Sequence, residues 1–284
     1  MLDLLGKLLT QGYFERPVFV VGASRSGTSV LLQALGRHPK ILAAPGEAPF
    51  LTSIGGAVGL FEFAENSEYY NQSLICTKDH LYGQLKRLAL ETAAGAHFGL
   101  KTLVKVSHSR RRLMRPAYWC AKTFPTRRGA DALVALYPEA RFVYIVRNGL
   151  EVVQSRTKFS GFSDKGFVQQ CRGWAQSVDT FDYLREYQYA VSVRHEELRQ
   201  SPQELFERVF DFLRLPLDQA VVDFVRNTVV HPLDEKTREH ADARDEFARR
   251  PPPYAIWSEQ QKAEFVENCR PSMQRLGYEI PFDG

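Results

Sequence analysis

The chain has 284 residues, of which 44% are hydrophobic and 25% charged, enough apolar material for a sizeable folded core. Its formal net charge of +4 is too small to indicate a nucleic-acid binder, although it suits an anionic ligand. No stretch approaches the roughly 20 apolar residues of a membrane span, so we expect a cytoplasmic protein unless a membrane anchor has been removed.

Apolar runs of strand length alternate with helical patterns along the chain. The apolar runs predict buried parallel strands at 17–21, 117–121, 141–146 and 189–193. Helices are predicted at 28–36, 67–94, 128–137, 150–158, 165–186, 203–214 and 258–277. This alternation indicates an α/β fold of three layers, with a central parallel sheet flanked by helices. There is no internal repeat or firm boundary, so we expect a single domain over residues 1–284.

The first predicted strand runs into GASRSGTS, residues 22–29, which has the layout of a phosphate-binding loop. Gly22 and Gly27 have the spacing of a Walker loop, and the helix that follows adds the positive end of its dipole. Arg25 supplies a cation, but the lysine of a nucleotide triphosphatase is absent. A later strand runs into Arg147 in place of the aspartate that helps to hold magnesium. The loop therefore suits a phosphate ester without a metal-bound triphosphate, such as a sulfuryl donor.

A second anion-binding pattern lies at YIVRNGLEVVQSR, residues 144–156. Arg147 leaves a buried strand, and Ser155 follows eight residues later on the next helix. Such spacing lets an arginine at a strand end and a serine on a helix converge on one anion.

With four further segments, this pattern resembles the sulfotransferases that use 3'-phosphoadenosine 5'-phosphosulfate (PAPS), in the branch of the tyrosyl-protein and bacterial enzymes. In chain order the segments are SRSGTSVLLQALGRHPKI, CAKTFP, YPEARFVYIVRNGLEVVQS, VRHEELRQSPQELFERVFDFLRLP and WSEQQKAEFVENCRPSMQRLGY. The resemblance implies a 5'-phosphosulfate loop and helix at 17–36 and a 3'-phosphate motif at 141–158. It also implies that a helical insert at 48–121 shapes the acceptor pocket.

The resemblance also implies roles for individual residues. The 5'-phosphosulfate end would be held by five consecutive residues of the loop, and the 3'-phosphate by the two residues of the second motif: Arg25, Ser26, Gly27, Thr28 and Ser29, then Arg147 and Ser155. Either Lys122 or Arg25 would stabilise the leaving phosphate oxygen. No metal is expected, and the four cysteines form no paired metal-ligand spacing.

Glu47 is the candidate base that takes the acceptor proton, as a glutamate at this position does in the branch named above. It follows a short apolar strand and a Pro-Gly turn near a predicted helix start. The alternative reading is a carboxylate that only complements the helix dipole. The cytosolic branch uses a histidine, which makes His80 and His108 the rivals, whereas His38 is assigned to packing.

The chain departs from the family pattern at three places. Asn148 and Gly149 replace the usual Asp-Pro, His195 replaces a tyrosine after Arg194, and Phe124 stands where proline usually follows Lys-Thr. The nucleotide contact at His195 and the placement of Lys122 depend on these positions.

The expected reaction is direct in-line transfer of SO3 to a hydroxyl or an amine, leaving adenosine 3',5'-bisphosphate. The acceptor stays open among a small molecule, a lipid, a saccharide and a peptide, with no nucleic-acid partner. Two other functions are weighed: a P-loop kinase with an altered loop, and a non-catalytic nucleotide-binding protein that kept the fold.

Overall fold

Five strands form one parallel sheet in the order β2-β3-β1-β4-β5. The computed structural model describes residues 16–67, 77–98, 117–162, 164–187, 189–230 and 252–282. The strands are β1 (Pro17–Gly22), β2 (Ile41–Glu47), β3 (Tyr118–Lys122), β4 (Arg141–Val146) and β5 (Ala190–Arg194). The predicted α/β fold with a central parallel sheet is confirmed.

Ten α-helices lie in the described part of the chain. The first five are α1 (Thr28–Leu35), α2 (Pro49–Glu65), α3 (Lys78–Phe98), α4 (Arg127–Leu136) and α5 (Gly149–Thr157). The last five are α6 (Phe167–Glu186), α7 (Glu197–Gln200), α8 (Pro202–Leu213), α9 (Gln219–Val225) and α10 (Glu259–Arg275). Short 3-10 turns lie at Ser160–Phe162 and Pro253–Ile256, and a π-helical turn at Arg226–Val230.

The predicted insert contains two described helices, although the sequence pattern predicted only one there. A single helix was predicted at 67–94, but α2 already begins at Pro49, and α3 begins at Lys78. Proline fits the first turn of a helix, where its missing N–H costs nothing. The charged segment 231–250 and His108 lie outside the described residues.

The chain divides into two compact units. One comprises Met1–Val21, Ser29–Val143 and Tyr183–Val191, and the other comprises Gly22–Thr28, Tyr144–Asp182 and Ser192–Gly284. The single domain expected from the sequence stays a prediction.

An aromatic cluster fills the core of the first unit. Phe19 on β1 is fully buried, and its ring centroid lies 5.7 Å from Trp119, 6.0 Å from Tyr137 and 5.5 Å from Phe142. Two of these contacts are edge-on, the arrangement that the ring quadrupoles favour. Phe19, Trp119 and Phe142 each lie in the first half of their strand, so the cluster packs around the amino-terminal halves of β1, β3 and β4.

Parallel pairing brings three strand ends of the first unit to one edge of the sheet. Val20 of β1 pairs with Lys122 of β3, and Glu47 of β2 pairs with the same lysine. An irregularity in the β2 register lies between Ala43 and Glu47. The side chain of Thr123, the residue after β3, shares a 2.9 Å hydrogen bond with Thr52 of α2, which ties the insert to this edge.

In the second unit, α5 and α6 pack closely because a glycine begins α5. A side chain at Gly149 would place its Cβ 2.8 Å from the Trp174 ring of α6. The Trp174 indole N–H donates to the carbonyl of Arg147 at 3.3 Å, and the Tyr144 hydroxyl donates to the carbonyl of Ser177. The close approach at Gly149 explains why this chain uses glycine where its resemblance predicts proline.

Candidate active site

The loop after β1 has a backbone that only certain residues can adopt. A side chain at Gly22 would bring its Cβ within 2.5 Å of the Ile145 carbonyl oxygen, so this position accepts only glycine. Gly27 has φ of 93° and Arg25 has φ of 76°, both in the left-handed region. The N–H of Ser26 donates to the Ala23 carbonyl at 3.1 Å and closes the turn. The loop is therefore a tight, defined turn, as a phosphate-binding loop requires.

Two hydroxyl groups lie buried where this loop enters α1. Ser26 has no exposed surface, and among the described residues its Oγ has no hydrogen-bond partner. Thr28 begins α1 and is 3% exposed. A buried hydroxyl without a partner is costly, and an anionic oxygen at the positive end of α1 would satisfy it. The donor set of the loop thus fits a phosphate or sulfate group.

The second predicted motif contacts this loop directly. The Arg147 guanidinium donates from Nη1 to the Arg25 carbonyl at 3.0 Å, and its Nε and Nη2 bind Glu151 Oε2 at 2.8 and 2.5 Å. Arg25 donates from Nε to Ser155 Oγ at 3.1 Å, and its guanidinium lies 4.6 Å from the centre of the Phe159 ring. The structure therefore brings together Arg25, Arg147 and Ser155, which the sequence had placed in two separate motifs.

Helix α5 is held in position at its first turn. The Asn148 side chain caps the helix by accepting from the Leu150 N–H at 2.9 Å. The Asn148 N–H donates to Glu196 Oε1 at 3.3 Å, and the Tyr278 hydroxyl donates to the other oxygen of Glu196 at 3.1 Å. The asparagine that replaces aspartate here keeps the capping oxygen, which is the part of the side chain that the helix needs.

Lys122 and Glu47 belong to the other unit, at the edge formed by β2 and β3. The Lys122 ammonium donates to Ser29 Oγ on the first turn of α1 at 3.0 Å, and it lies 5.4 Å from the centre of the Phe124 ring. Phe124, where the family pattern has proline, thus supports the lysine by a cation–π contact. The backbone of Glu47 is paired opposite Lys122.

His80, a rival for the base, and His38, which was assigned to packing, have different surroundings. His80 is exposed on α3. His38 is 2% exposed, and its Nδ1 accepts from the Lys40 N–H at 3.0 Å, a local contact that fits a packing role.

His195 lies directly against the loop. Its N–H donates to the Val146 carbonyl at 2.8 Å, and its Cδ2 is 2.6 Å from where a Cβ on Gly27 would lie. Burial, followed by the charges of Arg147 and Arg199, lowers the pKa of His195 from 6.5 to about 4. The imidazole is therefore neutral at physiological pH and occupies the space that Gly27 leaves.

Two residues of this network could have been predicted and were not. Glu151 and Arg156 lie on α5 within the second motif, and Arg156 is on the buried face with Gly149, Val152 and Val153. A charged residue at a buried helical position was the available signal. The Arg156 guanidinium reaches the loop and donates from Nε to the Ser24 carbonyl at 3.2 Å.

A family model described as "Sulfotransferase family" matches residues 17–219, well over half of the chain. The chain belongs to the sulfotransferase family. The match contains the loop, β3, the second motif and β5.

Sequence relatives agree with this family assignment. The chain is 23% identical over 231 residues to a protein-tyrosine sulfotransferase of Drosophila melanogaster, covering 78% of this chain and 43% of that protein. It is 23% identical to a putative protein-tyrosine sulfotransferase of Caenorhabditis briggsae, covering 74% and 69%. The chain thus spans less than half of the Drosophila protein.

Solved sulfotransferases share the fold at low sequence identity. The sulfotransferase domain of the Synechococcus PCC 7002 olefin synthase has a TM-score of 0.54 at 17% identity, covering 94% of this chain and 96% of that domain. Mouse sulfotransferase SULT7A1, solved with PAP, has a TM-score of 0.51 at 13% identity, covering 96% and 89%.

No described helix combines the length and apolar character needed to cross a bilayer. No group of three or more His, Cys, Asp or Glu side chains in the described ranges is arranged to hold a metal ion.

The lowered pKa of His195 predicts a loss of stability in mild acid. Because the folded-state pKa is about 4, the unfolded chain takes up this proton first as the pH falls. From about pH 7 to about pH 5, His195 should lower the free energy of unfolding by about 2 kcal/mol. Urea unfolding of the wild type and of His195→Gln at both pH values measures the contribution of His195 to this change in the free energy of unfolding.

The matched control is His80→Gln, at an exposed side chain of α3. It should keep the full pH dependence of the wild type, whereas His195→Gln should lose part of it. Identical pH dependence in His195→Gln and the wild type would show that the imidazole is not neutral in the fold.

Proposed function

We propose that the chain is a PAPS-dependent sulfotransferase, acting as one catalytic domain, that moves a sulfuryl group to a hydroxyl acceptor. The observation that carries this proposal is the network that joins the phosphate loop to the second motif through Arg25, Arg147 and Ser155. Its two guanidinium groups and one hydroxyl suit a dianionic phosphate ester. The absence of the P-loop lysine disfavours a kinase.

The fit of the cofactor rests on donors at both motifs. The 5'-phosphosulfate end would be held by the loop and the first turn of α1, through Ser26, Gly27, Thr28 and Ser29, with the unpartnered Ser26 hydroxyl as a ready donor. The 3'-phosphate would be held by Arg147 and Ser155. PAP, the nucleotide left by PAPS after transfer, is bound in the mouse structural neighbour, which supports the same nucleotide class here.

PAPS, when bound, supplies an activated sulfuryl group that carries less negative charge than a phosphoryl group. Glu47 would then accept the proton of the acceptor hydroxyl as that oxygen bonds to sulfur. Lys122, held on α1 by Ser29, would stabilise the phosphate oxygen from which sulfur departs, and Arg25 is the second cation available for that oxygen. The acceptor proton would thus go to Glu47, and the charge on the leaving phosphate oxygen would be stabilised by Lys122 or Arg25. Sulfur would pass directly to the acceptor oxygen, without a covalent enzyme intermediate.

The proposed acceptor is a hydroxyl group. Transfer to a hydroxyl needs a carboxylate base and a cation at the leaving oxygen, and the backbone pairing of Glu47 with Lys122 supports the proposal that these two residues supply them. The curated relatives named above act by name on protein tyrosine, so a phenolic hydroxyl is the first acceptor to test.

The three described cysteines, all free thiols, support a reducing compartment such as the cytoplasm.

Replacing the proposed base should abolish transfer and leave cofactor binding intact. We expect Glu47→Gln to lower kcat by about 100-fold or more, because the amide cannot take the acceptor proton. The measurement is transfer of radiolabelled sulfate from PAPS to a phenol, with the affinity for adenosine 3',5'-bisphosphate measured in parallel. Glu65→Gln, at an exposed residue that ends α2, is the control. Unchanged turnover in Glu47→Gln would remove Glu47 from the reaction.

Removing the strand-end arginine should act on binding instead. We expect Arg147→Ala to weaken adenosine 3',5'-bisphosphate by about 2 kcal/mol or more, or about 30-fold, through the loss of a charge-assisted contact. Adenosine 5'-phosphate, which lacks the 3'-phosphate, should lose less affinity, because only the release of the Arg25 carbonyl affects it. Calorimetry with Arg172→Ala as control, an exposed arginine of α6, makes this comparison. Equal losses for the two nucleotides would place Arg147 away from the 3'-phosphate.

A further inference from the structure

Arg156 is a buried arginine that the proposed reaction does not use. It lies on the inner face of α5, one residue after Ser155, and only 5% of its surface is exposed. Its Nε donates to the Ser24 carbonyl at 3.2 Å, and its Nη1 donates to the Gln170 carbonyl of α6 at 3.1 Å. A side chain at Gly173 would approach Nη1 to 3.3 Å, so α6 leaves just enough room for the guanidinium.

The Arg156 guanidinium carries its charge in a buried position. Burial lowers the pKa of Arg156 from 12.5 to about 10, so the group stays charged at neutral pH. Cys171, Cys269 and Tyr144 are titratable groups that face it. Burying a cation costs several kcal/mol unless its hydrogen bonds or a nearby anion offset the cost.

The bond to Ser24 controls the direction of a loop peptide. In a trans peptide the C=O and the N–H point to opposite sides, so a Ser24 carbonyl held by Arg156 turns the Arg25 N–H the other way. The next carbonyl, that of Arg25, is held in the same manner by Arg147, and the Ser26 N–H closes the turn on Ala23. Two carbonyls that would repel an anion are thereby tied to arginines.

We propose that Arg156 is a positioning residue for the phosphate loop, which it holds through the Ser24 carbonyl while placing a permanent positive charge beneath the ligand. This role rests on the proposed function, since the loop must bind an anion for the charge to matter. The proposal gives Arg156 no contact with the cofactor or with the reacting atoms. Its effect passes through the loop backbone.

The variant Arg156→Lys separates this role from simple packing. Arg156→Lys keeps the charge and most of the length, but burial lowers the pKa of a lysine far more easily into the working range. The variant should therefore lose its buried charge as the pH rises, whereas the wild-type arginine keeps it. Arg156→Gln keeps hydrogen-bond donors without the charge and should show no such pH dependence.

The first test needs no ligand. Hydrogen exchange of the Ser26 amide, which bonds to Ala23, should be at least about tenfold faster in Arg156→Lys and Arg156→Gln than in the wild type. Arg172→Lys is the matched control, because Arg172 is an exposed arginine of α6 that bonds to Asn268. Unchanged exchange of the Ser26 amide in both Arg156 variants would overturn the proposal.

The second test follows affinity for adenosine 3',5'-bisphosphate between about pH 7 and about pH 9, above the phosphate pKa near 6. Arg156→Lys should bind about tenfold more weakly than the wild type at the lower pH and weaken further at the higher one. The wild type and Arg172→Lys should show no such trend. A flat pH profile with wild-type affinity in Arg156→Lys would also overturn the proposal.

The two tests distinguish this proposal from the proposed function. If the wild type fails to bind the nucleotide while the Ser26 amide responds to the Arg156 variants, the loop is positioned as inferred but the proposed cofactor is wrong. If the wild type binds and neither readout responds, Arg156 is only a packing residue and the proposed function stands.

Discussion

Two hydrogen bonds from arginine side chains to consecutive backbone carbonyls of the phosphate loop hold the arrangement on which the proposed cofactor site depends. Arg156 binds the Ser24 carbonyl and Arg147 binds the Arg25 carbonyl. Between them Arg25 adopts a left-handed conformation that costs on the order of 1 kcal/mol for a residue with a side chain. Without the two bonds, the loop carbonyls could turn inward and repel the anion that the site is proposed to bind.

The same network explains how this loop manages without the lysine of an ATPase. Three guanidinium groups lie at or beneath the loop, those of Arg25, Arg147 and Arg156, and Glu151 binds one of them. Arginine keeps its charge when buried and offers its donors in a fixed plane, whereas a buried lysine readily loses its proton. A site built from arginines therefore presents a permanent positive charge to a phosphate ester.

Sequence patterns predicted β1, β3, β4 and β5 from apolar runs, as at 141–146 for β4 (Arg141–Val146). The residues before Glu47 were read only as a short apolar strand, because Pro45 and Gly46 interrupt the apolar run of β2 (Ile41–Glu47). The patterns missed the start of α2, whose three glycines lower its helix propensity; Gly55 is used because α2 packs against Gly129 of α4. The spacing of Arg147 and Ser155 was readable, but the Arg25–Ser155 bond was not, since it depends on a left-handed residue in the loop. Arg156 was overlooked because its place on the buried face of α5 was not read from the helical pattern, although the backbone carbonyl that it binds could not have been predicted.

The central claim is that the arginine network recognises a nucleotide by its 3'-phosphate. Calorimetric titration of the wild-type protein, without magnesium, with adenosine 3',5'-bisphosphate, adenosine 5'-phosphate and ATP tests it most directly. We expect adenosine 3',5'-bisphosphate to bind at least about 30-fold more tightly than adenosine 5'-phosphate, because of a charge-assisted contact to the additional phosphate. Equal affinity for these two nucleotides, or a preference for ATP, would contradict it.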